Sequence, residues 1–221
     1  MAFLVVKMKD TKVVFQCGEL SLEGVILIPE SIGVFPAVIV CHPHPLYGGS
    51  MDNNVVFGLC QELTQASFIS FRFNFRGVGK SEGAFDQGIG EQEDVEAAIS
   101  YVASVKQVDS TQIGLAGYSA GAVFALPVGA KDTRIKALAA ISSPFSMSDF
   151  EFLKACRKPK FLISGSEDDL IPASELIEFY QDIAEPKEYE IIEGADHFWY
   201  GYESSLAKKV TGFFITALKR E

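Results

Sequence analysis

Two periodicities alternate along this chain. Residues 13–15 and 22–28 read as strands, with Gly18 between them and Pro29 closing the second. The run AVIVC at 37–41 is continuously apolar, the mark of a strand buried on both faces. Residues 68–75 alternate instead: Phe71, Phe73 and Phe75 share one face, and Arg72 and Asn74 the other. Further strands are predicted at 113–116, 135–141, 161–164 and 188–192. Helical spacing covers residues 55–66 behind Asp52, then 91–105, 120–130, 173–183 and 206–218. The second of these carries acids in its first turn, as the helix dipole favours. Residues 77–90 form a loop with five glycines, and residues 142–159 are irregular, with room for one short helix.

Strands alternating with helices, the inner strands continuously apolar, predict an α/β fold. The expected architecture is a mostly parallel, twisted, eight-stranded sheet with helices on both faces, in one domain spanning residues 1–221. No helix separates the first two strands, so they should form an antiparallel hairpin at one edge. Sites on such sheets lie past the carboxyl ends of the strands, which directs attention to the residues after each buried run.

Composition narrows the choice of partner. The net charge is −10, which repels phosphate backbones and anionic membranes, so neither nucleic acid nor membrane is an expected partner. With 48% apolar residues the chain builds its own core. Cys17, Cys41, Cys60 and Cys156 form no CxxC pair and read as reduced core thiols. The apolar run at 2–6 is too short for a signal segment or a membrane span, so a cytoplasmic location is expected.

Four strings carry candidate chemistry. Gly117-Tyr118-Ser119-Ala120-Gly121 is a GxSxG between a predicted strand and a predicted helix, the context of a nucleophile elbow. The serine stands at the apex of a sharp turn, and its neighbours two positions away must be small. Gly79-Lys80-Ser81-Glu82-Gly83 has the same letters but follows no strand directly and opens no helix, so it reads as a surface loop. It also imitates a phosphate-binding loop, yet Asn74 stands where that pattern needs glycine. His42-Pro43-His44 follows a strand, but a zinc site needs further ligands with their own spacing, and the chain has three histidines in all. The third, His197, follows the last strand, and Glu167, Asp168 and Asp169 follow the one before it. The chain order Ser119, Asp168, His197 suits a triad on an α/β sheet. The histidine takes the serine proton, and the acid fixes its tautomer. Asp169 is the alternative acid. Asp196 adjoins His197 and is poorly placed to reach round to Nδ1.

GYSAG, GSEDDLIP and GADHFW, with CHPHPLYGG and FRGVGKSEG, together resemble the α/β-hydrolase superfamily. The likeness runs from about residue 22 to the C-terminus. It is greatest to the small, lid-poor bacterial members near the dienelactone hydrolase branch, loosely described as carboxylesterases. Family members place the acid after the seventh strand in G-x-x-D, four residues before a proline, and Gly165, Asp168 and Pro172 match. Dienelactone hydrolases proper carry a cysteine nucleophile where this chain has Ser119, so their substrate does not transfer.

The resemblance implies an oxyanion hole with one donor at the Ala120 N–H. The second comes from the loop after the third strand. Pro43 and Pro45 have no N–H, so the family-equivalent donor is the His44 backbone, with Leu46 or Tyr47 as the fallback. Residues 142–159 leave no room for a large lid, so an open cleft is expected. Tyr47, Phe145, Phe198 and Trp199 are the candidate wall residues, with the core as the competing place for each. The expected function is hydrolysis of a small carboxylic ester or thioester through an acyl-enzyme, with no cofactor and no metal. Peptide or amide hydrolysis is the alternative on the same triad, and a non-catalytic binding protein the alternative on the same fold.

Overall fold

The computed structural model describes residues 8–218, so the apolar run at 2–6 lies outside the described residues. Eight strands form one sheet: β1 Met8–Cys17, β2 Leu20–Pro29, β3 Phe35–Cys41, β4 Ile69–Phe73, β5 Val108–Tyr118, β6 Ile135–Ile141, β7 Lys160–Gly165 and β8 Lys187–Ile192. Their order is β1-β2-β4-β3-β5-β6-β7-β8. The β1–β2 and β2–β4 pairs are antiparallel, and every later pair is parallel. The predicted edge hairpin is therefore present, and its inner strand lies against β4.

Five α-helices cover the sheet: α1 Asn54–Gln65, α2 Ile89–Ser104, α3 Ala120–Lys131, α4 Ala173–Asp182 and α5 Glu203–Leu218. One apolar layer joins Phe15, Phe71 and Phe73 to Val95, Ile99 and Phe124 of α2 and α3. The other joins Val38, Val40 and Ile163 to Leu59 and Leu63 of α1 and to Val210 and Phe214 of α5. The period-2 alternation of β4 feeds both faces, because successive side chains point to opposite sides of the sheet. Its phenylalanines enter the first layer. Arg72, on the opposite face, donates to the Met51 carbonyl at 3.0 Å, pairs with Asp52, and lies over the Phe57 ring.

Some boundaries differ from the sequence reading. β5 begins five residues earlier, because Val108 pairs with Phe35 before a register shift leads to the main pairing at Ile113. α2 begins at Ile89, inside the predicted loop. The Glu91 carboxylate reaches back to accept the Gly88 and Asp86 N–H groups at 2.7 and 2.9 Å, satisfying donors the helix leaves open. Asn53 caps α1, accepting from the Val55 N–H at 3.0 Å. All four cysteines are free and buried, as expected. Between β6 and β7 the chain makes only a one-turn 3-10 helix, Glu151–Lys154, so no large lid is inserted there. No helix among the described residues is long and apolar enough to cross a membrane.

The glycine-rich loop after β4 is pinned rather than loose. Arg76 donates to Asp94 of α2 through its backbone N–H at 2.8 Å, Nε at 3.0 Å and Nη2 at 2.8 Å, and to the exposed Glu93 at 2.9 Å. Arg76 and Asp94 are both buried. Removing one partner of a buried pair leaves an uncompensated charge, so Asp94→Ala should cost about 3–5 kcal/mol of unfolding free energy. Glu93→Ala should cost under about 1 kcal/mol, because water already screens that carboxylate. Urea unfolding of the two variants checks the contrast, and equal losses would contradict it.

Candidate active site

The chain passes from β5 to α3 through a single residue, Ser119, with φ 53° and ψ −125°. A non-glycine residue with positive φ costs on the order of 1–3 kcal/mol and persists only where its surroundings dictate it. Here they do. The Ser119 N–H donates to the Ile141 carbonyl at 2.8 Å, and its carbonyl accepts from the Ala122 N–H at 3.0 Å. A Cβ on Gly117 would strike the Ala122 backbone, and one on Gly121 would strike the Cys41 and His42 carbonyls. Both small-residue positions in GYSAG are thus required by contact.

Ser119 Oγ donates to His197 Nε2 at 3.2 Å, and His197 Nδ1 donates to Asp168 at 2.8 and 3.1 Å. The Asp168 carboxylate is buried and also accepts the Leu170 and Ile171 N–H groups at 3.1 and 2.8 Å, which fix its orientation. Asp169 and Glu167 are exposed. Asp196 turns to its own backbone, accepting from the N–H groups of Phe198 and Trp199 at 3.0 and 2.7 Å. The acid loop and the histidine loop are laced together by Ser166 N–H to Ile192, Glu167 N–H to Ala195 and Gly194 N–H to Ser166 Oγ, each at 2.9 Å. Tyr118, whose place in the elbow the motif disclosed but whose role it did not, donates its hydroxyl to the His197 carbonyl at 2.6 Å.

On the facing side of the cleft, the loop after β3 carries His44. Among the described residues, neither the His44 nor the Ala120 backbone N–H is donated to a protein acceptor. The two fallback donors are already used: Leu46 N–H goes to His44 Nδ1 at 3.2 Å and Tyr47 N–H to the His44 carbonyl at 3.1 Å. The His44 ring rests between Tyr47 and Phe85, with centroids at 4.6 and 4.9 Å. His42 is buried, with Nδ1 on the Pro43 carbonyl at 2.7 Å and Nε2 on the Phe75 N–H at 3.1 Å. Both of its ring nitrogens are therefore taken. The second GxSxG is a surface loop as expected, with Lys80 and Glu82 exposed, but the side chain of Ser81 turns inward. It is buried, donating to the Asn74 carbonyl at 2.6 Å and accepting the Glu23 N–H at 3.1 Å, which ties the loop to β2.

The cleft above Ser119 has a volume of about 700 Å³. Tyr47 and Phe198 line it, as expected. Phe145 and Trp199 do not. Phe145 stacks on Phe179 at 4.6 Å within the core. Trp199 is fully buried and donates Nε1 to Ser142 Oγ at 3.1 Å, anchoring the histidine loop to the end of β6. The walls the sequence reading missed are Pro144, Met147, Leu170, Ile171 and Tyr200. Their signal was present: apolar side chains in short loops just past strand ends, where no helix or sheet period accounts for them.

Comparison with known proteins finds similar chains and folds. Residues 79–221 match the family model described as PET hydrolase-like. An uncharacterized protein of Rickettsia prowazekii is 33% identical over 189 residues, covering 82% of this chain and 79% of its own length. An α/β serine hydrolase homologue from Coxiella burnetii is 34% identical, with a TM-score of 0.83 over 91% of this chain and 96% of that one. A Xanthomonas campestris protein, described as an α/β serine hydrolase without lid, is 26% identical, with a TM-score of 0.85 over 96% of this chain and 97% of that one.

The buried imidazole of His42 makes the site sensitive to acid. Burial pushes its pKa down to about 4, only partly opposed by the Pro43 carbonyl. The unfolded chain binds this proton from about pH 6.5 downward, the folded chain only near pH 4. Stability from this group is thus complete above about pH 6.5 and falls as pH drops to about 4, by roughly 3 kcal/mol in all. Urea unfolding between pH 7 and pH 4, compared with the slope for His42→Asn, measures it. An unchanged slope in the variant would contradict the assignment.

Proposed function

This chain belongs to the PET hydrolase-like family of α/β-hydrolases, and we propose that it is a serine carboxylesterase acting on small, uncharged esters or thioesters. The observation that carries the reading is the hydrogen-bonded series Ser119–His197–Asp168 at the floor of an apolar cleft. In this reading His197 Nε2 removes the Ser119 hydroxyl proton as Oγ attacks the ester carbonyl carbon. The negative charge that develops on the carbonyl oxygen is met by the N–H groups of Ala120 and His44, the first at the start of α3, where the helix dipole adds to it. The tetrahedral intermediate collapses, His197 returns the proton to the departing alkoxide or thiolate, and an acyl-Ser119 ester remains. Water, deprotonated by the same nitrogen, repeats the sequence and releases the acid. Asp168 holds the Nδ1–H tautomer that leaves Nε2 free to accept.

Substrate class follows from what lines the cleft. Its wall is built from Tyr47, Met147, Leu170, Phe198 and Tyr200, with no Lys, Arg, Asp or Glu among the lining residues. A carboxylate on the substrate would find no cation there and would meet a molecule with a net charge of −10. The open mouth suits short or flat acyl groups.

Ser119→Ala and His197→Ala should each lower kcat on the order of 10⁴–10⁶, and the double variant little further, because the groups act as a unit. Asp168→Asn should lose on the order of 10²–10⁴, as when the wrong tautomer forms in a serine protease. Asp169→Asn and Asp196→Asn should lose under about tenfold, since an exposed carboxylate acts only through a screened field and an asparagine can keep the Asp196 cap. Turnover of one activated ester across the five single variants and the double variant decides. A larger loss at Asp169 or Asp196 than at Asp168 would redraw the triad.

A matched pair of p-nitrophenyl esters, one ending in a methyl group and one in a carboxylate, tests the substrate class. The neutral ester should be favoured in kcat/KM by about tenfold or more, with the gap narrowing in salt. Equal or better cleavage of the carboxylate ester would refute it.

A further inference from the structure

His42 lies outside the Ser119–His197–Asp168 series, yet it is buried beside the cleft loop with both ring nitrogens hydrogen-bonded. We infer that His42 is a positioning residue that fixes the plane of the Pro43–His44 peptide, and so aims the His44 N–H at the developing oxyanion. The inference rests on the serine esterase reading above, because it gives His42 a task within that reaction.

The argument begins with the tautomer. The Phe75 N–H can only donate, so His42 Nε2, 3.1 Å away, must accept. A neutral ring that accepts at Nε2 carries its proton on Nδ1, which therefore donates to the Pro43 carbonyl at 2.7 Å. That carbonyl and the His44 N–H belong to one peptide unit, and the only cis peptide among the described residues is Glu185–Pro186. Across a trans peptide the C=O and N–H point in opposite directions. Holding the carbonyl toward the buried imidazole turns the N–H away from it, on the side where His44 lines the cleft.

Further contacts restrain the residues on either side of this peptide. The Phe75 ring meets the imidazole edge-on, with centroids at 4.7 Å. Pro43 and Pro45 fix their own φ angles on either side of His44. The His44 carbonyl accepts from Tyr47 and Gly49 N–H, both at 3.1 Å. The first turn of α3 lies directly against the His42 carbonyl at Gly121, so the positions of the two proposed oxyanion donors are set relative to each other through His42. A preorganised donor matters because it need not reorient when charge appears. A loose peptide would have to.

Two measurements decide. In the wild-type protein, imidazole ¹⁵N NMR should show His42 as the Nδ1–H tautomer with a slowly exchanging proton, and an Nε2–H tautomer would overturn the inference. This needs no variant. The second is kinetic. His42→Leu removes the donor to Pro43 and should lower kcat by about ten- to a hundredfold with KM within about twofold, the pattern of a contact made only in the transition state. His42→Asn places an amide N–H where Nδ1–H stood and should recover most of the loss, whereas a packing role alone would spare the larger Leu and penalise the smaller Asn. Folded His42→Leu with wild-type kcat, or Asn no better than Leu, would overturn the inference. If Leu fails to fold, the NMR tautomer and the Asn variant still decide. Ser119→Ala separates the two readings: full turnover there would sink the esterase reading and this one together, whereas lost turnover there with an unaffected His42→Leu sinks this one alone.

Discussion

The close approach of α3 to the end of β3 is the constraint on which the rest depends. Gly121 lies against the Cys41 and His42 carbonyls, closer than any side chain would permit. That contact brings the turn carrying Ser119 beside the loop carrying His44, although the two are far apart in sequence. It also forces the chain to reverse within one residue, which is why Ser119 adopts a positive φ. The parallel pairing of β3 with β5 supplies the same register from below, placing Cys41 opposite Gly117. Ser119, the facing loop and the first turn of α3 thus form one corner of the fold.

The other half of the site is assembled by different means. The acid and histidine loops follow β7 and β8, whose parallel pairing ends at Gly165 and Ile192. Backbone bonds lace the loops together, and Tyr118 joins them to the elbow through the His197 carbonyl. Trp199 adds a bond to Ser142 past the end of β6. Below the facing loop, Arg72 of β4 and Asn74 just past its end reach up: Asn74 accepts the Met51 N–H at 2.8 Å while donating to Glu23 at 2.8 Å, and Arg72 grips Met51 and Asp52. Buried polar groups are costly unless satisfied, and here Met51 and Asp52, in the loop that precedes α1, supply partners to Asn74 and Arg72.

The strand and helix alternation was legible because period and length are local signals, and so was the serine at its elbow. Asp168 was legible once it was placed relative to Gly165 and Pro172, and the structure shows why its neighbours differ: Asp169 faces water, and Asp196 caps its own turn. What could not be read was set by partners distant in the chain. Nothing near Phe145 announces Phe179, and nothing near Trp199 announces Ser142, so the choice between wall and core for these two aromatics could not be made locally, and both lie in the core. Ser81 looked like loop surface because its partners, Glu23 and the Asn74 carbonyl, come together only when the sheet forms. The early start of α2 went unseen because its cap is a carboxylate three residues inside the helix, not a side chain at its edge.

The central claim is that Ser119 is a nucleophile activated by its surroundings, and reaction with a fluorophosphonate tests it without assuming any substrate. Such a reagent phosphonylates a serine only where a base removes the proton and donors stabilise the charge. Incubated with the folded protein and followed by peptide mass spectrometry, it should give one adduct, on Ser119, formed more slowly as His197 is replaced. An unmodified folded protein, or an adduct on Ser81, would contradict the account.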